Sequence, residues 1–193
     1  MKELKQAVLE QGIGIGNDIV KVDGFLNHRI DVALMTKIGQ YIAETFKDEK
    51  IDCIMTVEAS GIAVAITAAQ AMGNVPVVFA KKGDHINVGH DVYIAEVYSF
   101  THRKMNTVRV SRKYLEKGMR VLLVDDFLAN GGAIEGMRSI LQQAECELVG
   151  AVVCIEKGFQ EGGKRLREEG VRLVSLAIVD SIDNGVITLR DDD

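Results

Sequence analysis

The sequence predicts an α/β domain with a central, mostly parallel sheet flanked by helices. Two observations carry this. Short apolar runs rich in β-branched residues alternate with longer stretches whose apolar residues recur at helical spacing. Successive strands are separated by a helix, the connection that a right-handed parallel crossover needs. The 193 residues suit one such domain, and an apolar fraction of 47% is enough to fill its core.

Residues 2–11 read as a charged amphipathic helix stopped at Gly12. It has no apolar signal region, and no apolar run is long enough to span a membrane, so the expectation is a cytoplasmic protein. "GIGIGNDIVKVDGFLNHRID" follows. Its glycines are spaced G-x-G-x-G and come after a helix, whereas a dinucleotide fingerprint follows a strand, so that reading is set aside. Ile19, Val20 and Val22 suggest a short strand leading to the polar cluster Asn27, His28 and Arg29. Asp31 is placed to cap a helix running to Lys47, with Leu34, Ile38, Ile42 and Phe46 facing inward. "IDCIMTV" (51–57) is a strand, "EASG" (58–61) a turn, and a small-residue helix then runs to Gly73. "VPVVFA" (75–80) is the next strand, with the single proline, Pro76, near its start where a missing N–H is tolerated.

Residues 81–111 break the rhythm. A polar, glycine-punctuated stretch leads into two strands around a basic turn, which predicts a flexible hairpin serving as lid, binding loop or interface arm. The pattern resumes with a strand at 120–124, a helix at 133–144, a strand at 148–155, a charged helix at 161–169 and a strand at 172–178. The ending "RDDD" reads as a solvated tail. Nothing in the sequence marks a repeat, linker or second domain, so residues 1–193 are expected to form one domain.

A net charge of −5 argues against a protein built mainly to bind nucleic acid. The cysteines, Cys53, Cys146 and Cys154, match no zinc spacing. Cys53 and Cys154 lie in apolar runs and read as core thiols in a reducing compartment. His28, His85, His90 and His102 form no metal pattern and receive no catalytic role.

One stretch stands apart: "VLLVDDFLANGGA", residues 121–133. An apolar strand runs into two acids, Asp125 and Asp126, then into a loop of small residues and a helix. In an open parallel sheet, ligands bind beyond the carboxyl ends of the strands. Backbone N–H groups from Ala129 to Ala133, with Gly131 and Gly132 allowing close approach, would join the helix N-terminus in cradling a phosphate. No Gly-Lys-Ser/Thr follows, so this is not a P-loop. The carboxylates beside the cradle suit adjacent hydroxyls. Phosphate and hydroxyls together describe a ribose 5-phosphate. The bland alternative is a surface loop that happens to begin with two acids.

This stretch resembles the diphosphoribosyl-binding motif of the type I phosphoribosyltransferases. "VKVDGFLNH", "VEASGIA", "VVFAKK", "VYSFT" and "CIEKGF" are similar to segments of the bacterial xanthine phosphoribosyltransferases, and the likeness covers almost the whole chain. Asn130 and Ala133 stand where threonine is frequent in the wider family, so the loop keeps its backbone donors but loses side-chain hydroxyls.

The resemblance implies a type I phosphoribosyltransferase fold, with a flexible hairpin at 81–111 and a small N-terminal hood at 1–30 that caps the base. It implies transfer of the 5-phosphoribosyl group from 5-phospho-α-D-ribose 1-diphosphate to xanthine, giving xanthosine 5′-monophosphate and pyrophosphate, a purine-salvage reaction. Residues Ala129, Asn130, Gly131, Gly132 and Ala133 would hold the 5′-phosphate. Asp125 and Asp126 would sit by the ribose hydroxyls and stabilise its developing positive charge, either as a pair or through Asp126 alone. Ala59, Ser60 and Gly61, with Lys81 and its neighbour Lys82, would meet the diphosphate; ordinary solvation of a strand end explains the lysines equally well. The tip 102–104 is either a solubilising edge or an anion contact.

Lys157 would donate to the 6-oxo group of the base, Val20 would give apolar contact and Asn27 would bond a polar edge. From the residues alone Val20 reads as core and Asn27 as a turn residue. Phe159 either stacks on the base or packs under a loop. Mg²⁺ would be held mainly by the diphosphate substrate rather than by protein ligands. A homodimer without nucleic-acid or membrane partners is expected. The rival readings are a same-fold transcription regulator that binds the diphosphoribosyl ligand without catalysis, and a transferase for hypoxanthine, guanine or orotate.

Overall fold

A computed structural model describes residues 1–83, 91–99 and 104–191. The polar stretch 84–90 and most of the tip 102–104 lie outside them, and with them His85, His90 and His102. The chain runs α1 (Lys2–Gln11), β1 (Ile13–Ile15), β2 (Ile19–Lys21), a π-helical turn (Asp23–Asn27) and α2 (Val32–Thr45). Then come β3 (Cys53–Val57), α3 (Gly61–Ala71), β4 (Val77–Lys82), β5 (Val92–Ser99) and β6 (Lys104–Ser111). The last part is β7 (Arg120–Leu128), α4 (Gly132–Gln143), β8 (Glu147–Lys157), α5 (Glu161–Glu168), β9 (Leu173–Asp183) and β10 (Val186–Leu189).

The main sheet has the order β10-β9-β8-β7-β3-β4-β6-β5. Its centre, from β9 to β4, is parallel. The hairpin β5–β6 continues one edge and β10 closes the other, both antiparallel. Alternation along β7 explains the layers: Leu122 and Val124 join a core with α2 and α3, while Val121 and Leu123 join another with α4. Both faces are buried, so the strand reads as continuously apolar. α2 starts as its sequence dictates, with Asp31 Oδ1 accepting the N–H of Leu34 at 3.0 Å.

Two expectations at the chain ends are corrected. β9 does not stop near 178 but continues to Asp183, turns at Asn184 and Gly185, and returns as β10. Both turn residues have positive φ, 50° and 84°, which suits a tight hairpin whose twist matches its strands. Arg190 is not part of a free tail: its N–H bonds Ile178 O at 2.8 Å and its guanidinium holds Asp180. The glycine-rich segment after α1 forms a small antiparallel ribbon, Gly14 facing Val20. A Cβ on Gly14 would lie 2.5 Å from Ile182 Cγ2 and 2.9 Å from Gly185 O. Gly14 therefore serves close docking of the N-terminal segment on the last hairpin. The Met1 amine reinforces this by donating to Leu176 O at 2.6 Å. None of the described helices is long and apolar enough to cross a membrane.

Candidate active site

β7 extends beyond the expected 124 and carries both acids inside its ladder with β8, Asp125 opposite Val153 and Leu128 opposite Glu156. The chain then leaves the strand, and α4 begins at Gly132 after Gly131, whose φ of 85° few other residues adopt without strain. Residues Ala129 to Ala133 line a cavity of about 180 Å³, joined by Val57 of β3, Lys82 of β4 and Asn106 of β6. The N-terminus of α4 opens on it, adding unpaired N–H groups and a positive dipole end. A larger cavity of about 580 Å³ lies against the outer part of β4 and β6 and includes none of these loop residues.

The two acids have unequal surroundings. Asp125 is buried, 5% exposed, and its Oδ1 accepts the N–H of Asp126 at 3.0 Å. Burial pushes its carboxyl well above the usual range, the neighbouring Asp126 charge pushes the same way, and Lys82 opposes them. Asp126 is only partly buried and its Oδ2 accepts from Asn27 Nδ2 at 3.2 Å. Asp125 is thus enclosed while Asp126 reaches the N-terminal segment, and the two side chains stay close enough for Asp126 to raise Asp125 by hydrogen bonding as well as by charge.

The turn 58–61 lies between the end of β3 and the start of α3. Its Glu58–Ala59 peptide bond is cis. Gly61 opens α3 directly above Asp125: a Cβ there would lie 2.1 Å from Thr56 Oγ1 and 2.9 Å from Asp125 Oδ1. The backbone N–H of Lys82 donates to Glu58 Oε1 at 2.6 Å, tying β4 to this turn. The two lysines part company. Lys82 lines the cavity of about 180 Å³, whereas Lys81 lines the 580 Å³ one with Phe79 and Tyr114. The structure thus groups Lys82, not Lys81, with the loop and the acids.

The N-terminal hood closes one side. Val20 is buried, as its apolar character requires, and Asn27 ends the π-helical turn over Asp126. Lys157 ends β8 and donates to Asp18 O at 2.5 Å, so the hood also covers the ammonium. Burial lowers the Lys157 pKa, against the opposing charge of Asp18. Phe159 is more than a third exposed just beyond it. Cys53 and Cys154 are buried, and burial raises both, Cys53 to about 11, with the Asp126 and Asp125 charges adding to the rise at Cys154.

Residues 27–185 match the family described as the phosphoribosyl transferase domain. The chain belongs to the phosphoribosyl transferase family. Among curated members, a xanthine phosphoribosyltransferase of Clostridioides difficile is 53% identical, the match covering 98% of this chain and 100% of that one. Another, from Bifidobacterium adolescentis, is 50% identical over 98% of this chain and all of its own. Among solved structures, adenine phosphoribosyltransferases from Giardia lamblia and Rhodothermus marinus share the fold, with TM-scores of 0.75 and 0.73 at 20% identity. They cover 91% and 92% of this chain, which covers 96% and 99% of theirs. At that identity the likeness to the transferase structures speaks for the fold alone.

The sequence pattern missed three contributors. Thr56 packs its buried hydroxyl beneath Gly61. Gly162 and Arg165 of α5 stand behind the loop 129–133, Arg165 Nη2 donating to Asn130 O at 2.8 Å. Nothing local in "EGGKRLREE" marks these roles. For Lys82 a signal existed: Ala80 is fully buried, and period-two alternation places Lys82 on that same face.

Proposed function

We propose that this chain transfers the 5-phosphoribosyl group of 5-phospho-α-D-ribose 1-diphosphate to xanthine, releasing pyrophosphate and forming xanthosine 5′-monophosphate. The observation that carries the reading is the meeting, at one sheet end, of a phosphate-sized loop, the Asp126 carboxylate and Lys157 under a hood. The 5′-phosphate occupies the loop 129–133, the ribose hydroxyls face Asp126, and the base lies between Lys157 and the hood residues Val20 and Asn27. Lys157 is a donor, so it favours an oxo group over the amino group of adenine. The diphosphate extends toward the turn 58–61 and Lys82.

The C1–oxygen bond to diphosphate breaks ahead of attack, leaving positive charge on the ribosyl carbon that Asp126 stabilises. A ring nitrogen of xanthine then forms the new C–N bond and its proton passes to solvent. Asp125 accepts the Asp126 N–H and so helps fix that residue's backbone. Carboxylate and phosphate oxygens are hard donors suited to Mg²⁺, which would be held mainly by the diphosphate with Asp126 nearby. When bound, Mg²⁺ supplies charge neutralisation to the leaving pyrophosphate. The proposed assembly is a homodimer; exposed Phe79 and Tyr114 beside the 580 Å³ cavity support an apolar contact between copies.

The test is kcat/KM for xanthine, hypoxanthine, guanine and adenine with the diphosphoribosyl donor and Mg²⁺. Xanthine is expected to be the best substrate. Equal use of adenine would overturn the role of Lys157, and tight donor binding without turnover of any base would overturn the enzyme reading.

A further inference from the structure

We propose that Arg165 and Gly162 of α5 are positioning residues for the phosphate loop, acting from its reverse side without touching substrate. The inference rests on the reading that residues 129–133 hold the 5′-phosphate. A backbone loop binds an anion only if its N–H groups stay turned toward the anion, and small-residue loops flip peptides easily. In a trans peptide the C=O and the following N–H point in opposite directions. Arg165 Nη2 holds Asn130 O at 2.8 Å, so the Gly131 N–H is turned away from α5, and Gly131 lines the cavity. The guanidinium is itself fixed by an ion pair with Glu135, in the first turn of α4, and by Glu169 at 3.9 Å. Its positive charge on the carbonyl side also polarises that peptide toward donation.

Gly162 completes the support. A Cβ built on it would lie 2.3 Å from Ala129 O and 2.7 Å from both Asn130 C and Gly131 N. α5 therefore presses bare backbone against the peptide whose orientation matters. Neither residue lines the 180 Å³ cavity; Arg165 instead lines one of about 340 Å³ on which Asn130 and Gly132 also open. Their effect on a substrate in the 180 Å³ cavity passes through the loop.

Arg165→Met is expected to raise KM for the diphosphoribosyl donor about tenfold, the scale of one lost charge-assisted hydrogen bond, with xanthine KM and Tm close to those of the parent. Arg165→Lys, which keeps a charged donor near Asn130 O, is expected to recover part of that loss. Gly162→Ala pushes the loop from behind and is expected to give the same donor-selective rise. Gly132→Asp places a carboxylate at the loop itself and tests the underlying reading. If Gly132→Asp raises donor KM while Arg165→Met and Gly162→Ala leave it unchanged, the positioning role is wrong and the phosphate site stands. If Gly132→Asp leaves donor KM unchanged, the phosphate site itself is wrong. A uniform loss in both KM values with a fall in Tm, not restored by Arg165→Lys, would reduce Arg165 to a fold-stabilising residue and overturn the proposal.

Discussion

Asp125 and Asp126 are chemically identical, and only their surroundings separate them. Asp126 has solvent access and meets the hood, so Asp126→Asn is expected to lower kcat about 100-fold in steady-state assays, the scale of a lost electrostatic contact to a transition state. Asp125 is sealed beneath α3, and Asp125→Asn is expected to cost less, because the amide still offers an oxygen to the Asp126 N–H and removes a charge that burial disfavours. The same shift sets a stability signature. The Asp125 contribution is fully present below the ordinary value of 3.8 and is lost as pH rises through the raised value. Urea unfolding above neutral pH should therefore find Asp125→Asn at least as stable as the parent, and at pH 4 the advantage should vanish. Lys157→Ala should raise xanthine KM about tenfold with little effect on donor KM. Equal losses in both would assign Lys157 to the fold or the sugar site. The residue identities were legible in the sequence, but the division of labour between the acids was not, because it depends on which one α3 covers.

At the scale of elements, α5 is a short helix with much to support. It is fastened to the sheet by Glu156, which is 2% exposed and accepts from Arg167 at 2.8 and 2.6 Å and from Ser175. Burial alone would raise the Glu156 pKa, but the bonds from Arg167 and Ser175 outweigh it and the net shift is downward. That contribution is present above the ordinary value of 4.5 and is lost as pH falls through the lowered value. Glu156→Gln should thus flatten the loss of stability below pH 4.5 seen by thermal unfolding. Arg167→Met leaves the carboxylate buried without its counter-charge and should cost about 3 kcal/mol by urea titration. β3, β7 and β8 were legible because strands buried on both faces are continuously apolar. β1 and β10 were not: each is short, and each pairs only with its chain neighbour, β1 with β2 and β10 with β9. β10 did carry a local cue, the Asn184–Gly185 pair, which is a strong hairpin signal between apolar runs.

At the scale of the molecule, the proposed base site draws on both ends of the chain. The hood that holds Val20 and Asn27 rests on β9 and β10, with Gly14 against Ile182 and Gly185. Gly14→Val should lift the hood and raise xanthine KM about tenfold or more while donor KM holds, because small displacements of a binding element are costly. A matching rise in donor KM would mean the hood braces the whole site. The phosphate loop was legible from one contiguous stretch, whereas this docking joins segments that share no local pattern. The Met1 amine reaches a carbonyl 175 positions later. During synthesis at roughly 5–20 residues per second, the N-terminal segment therefore waits on the order of 10 to 35 s for its seat to leave the ribosome. The loop and the α5 residues behind it are made before that seat, and the cover for the base is assembled last.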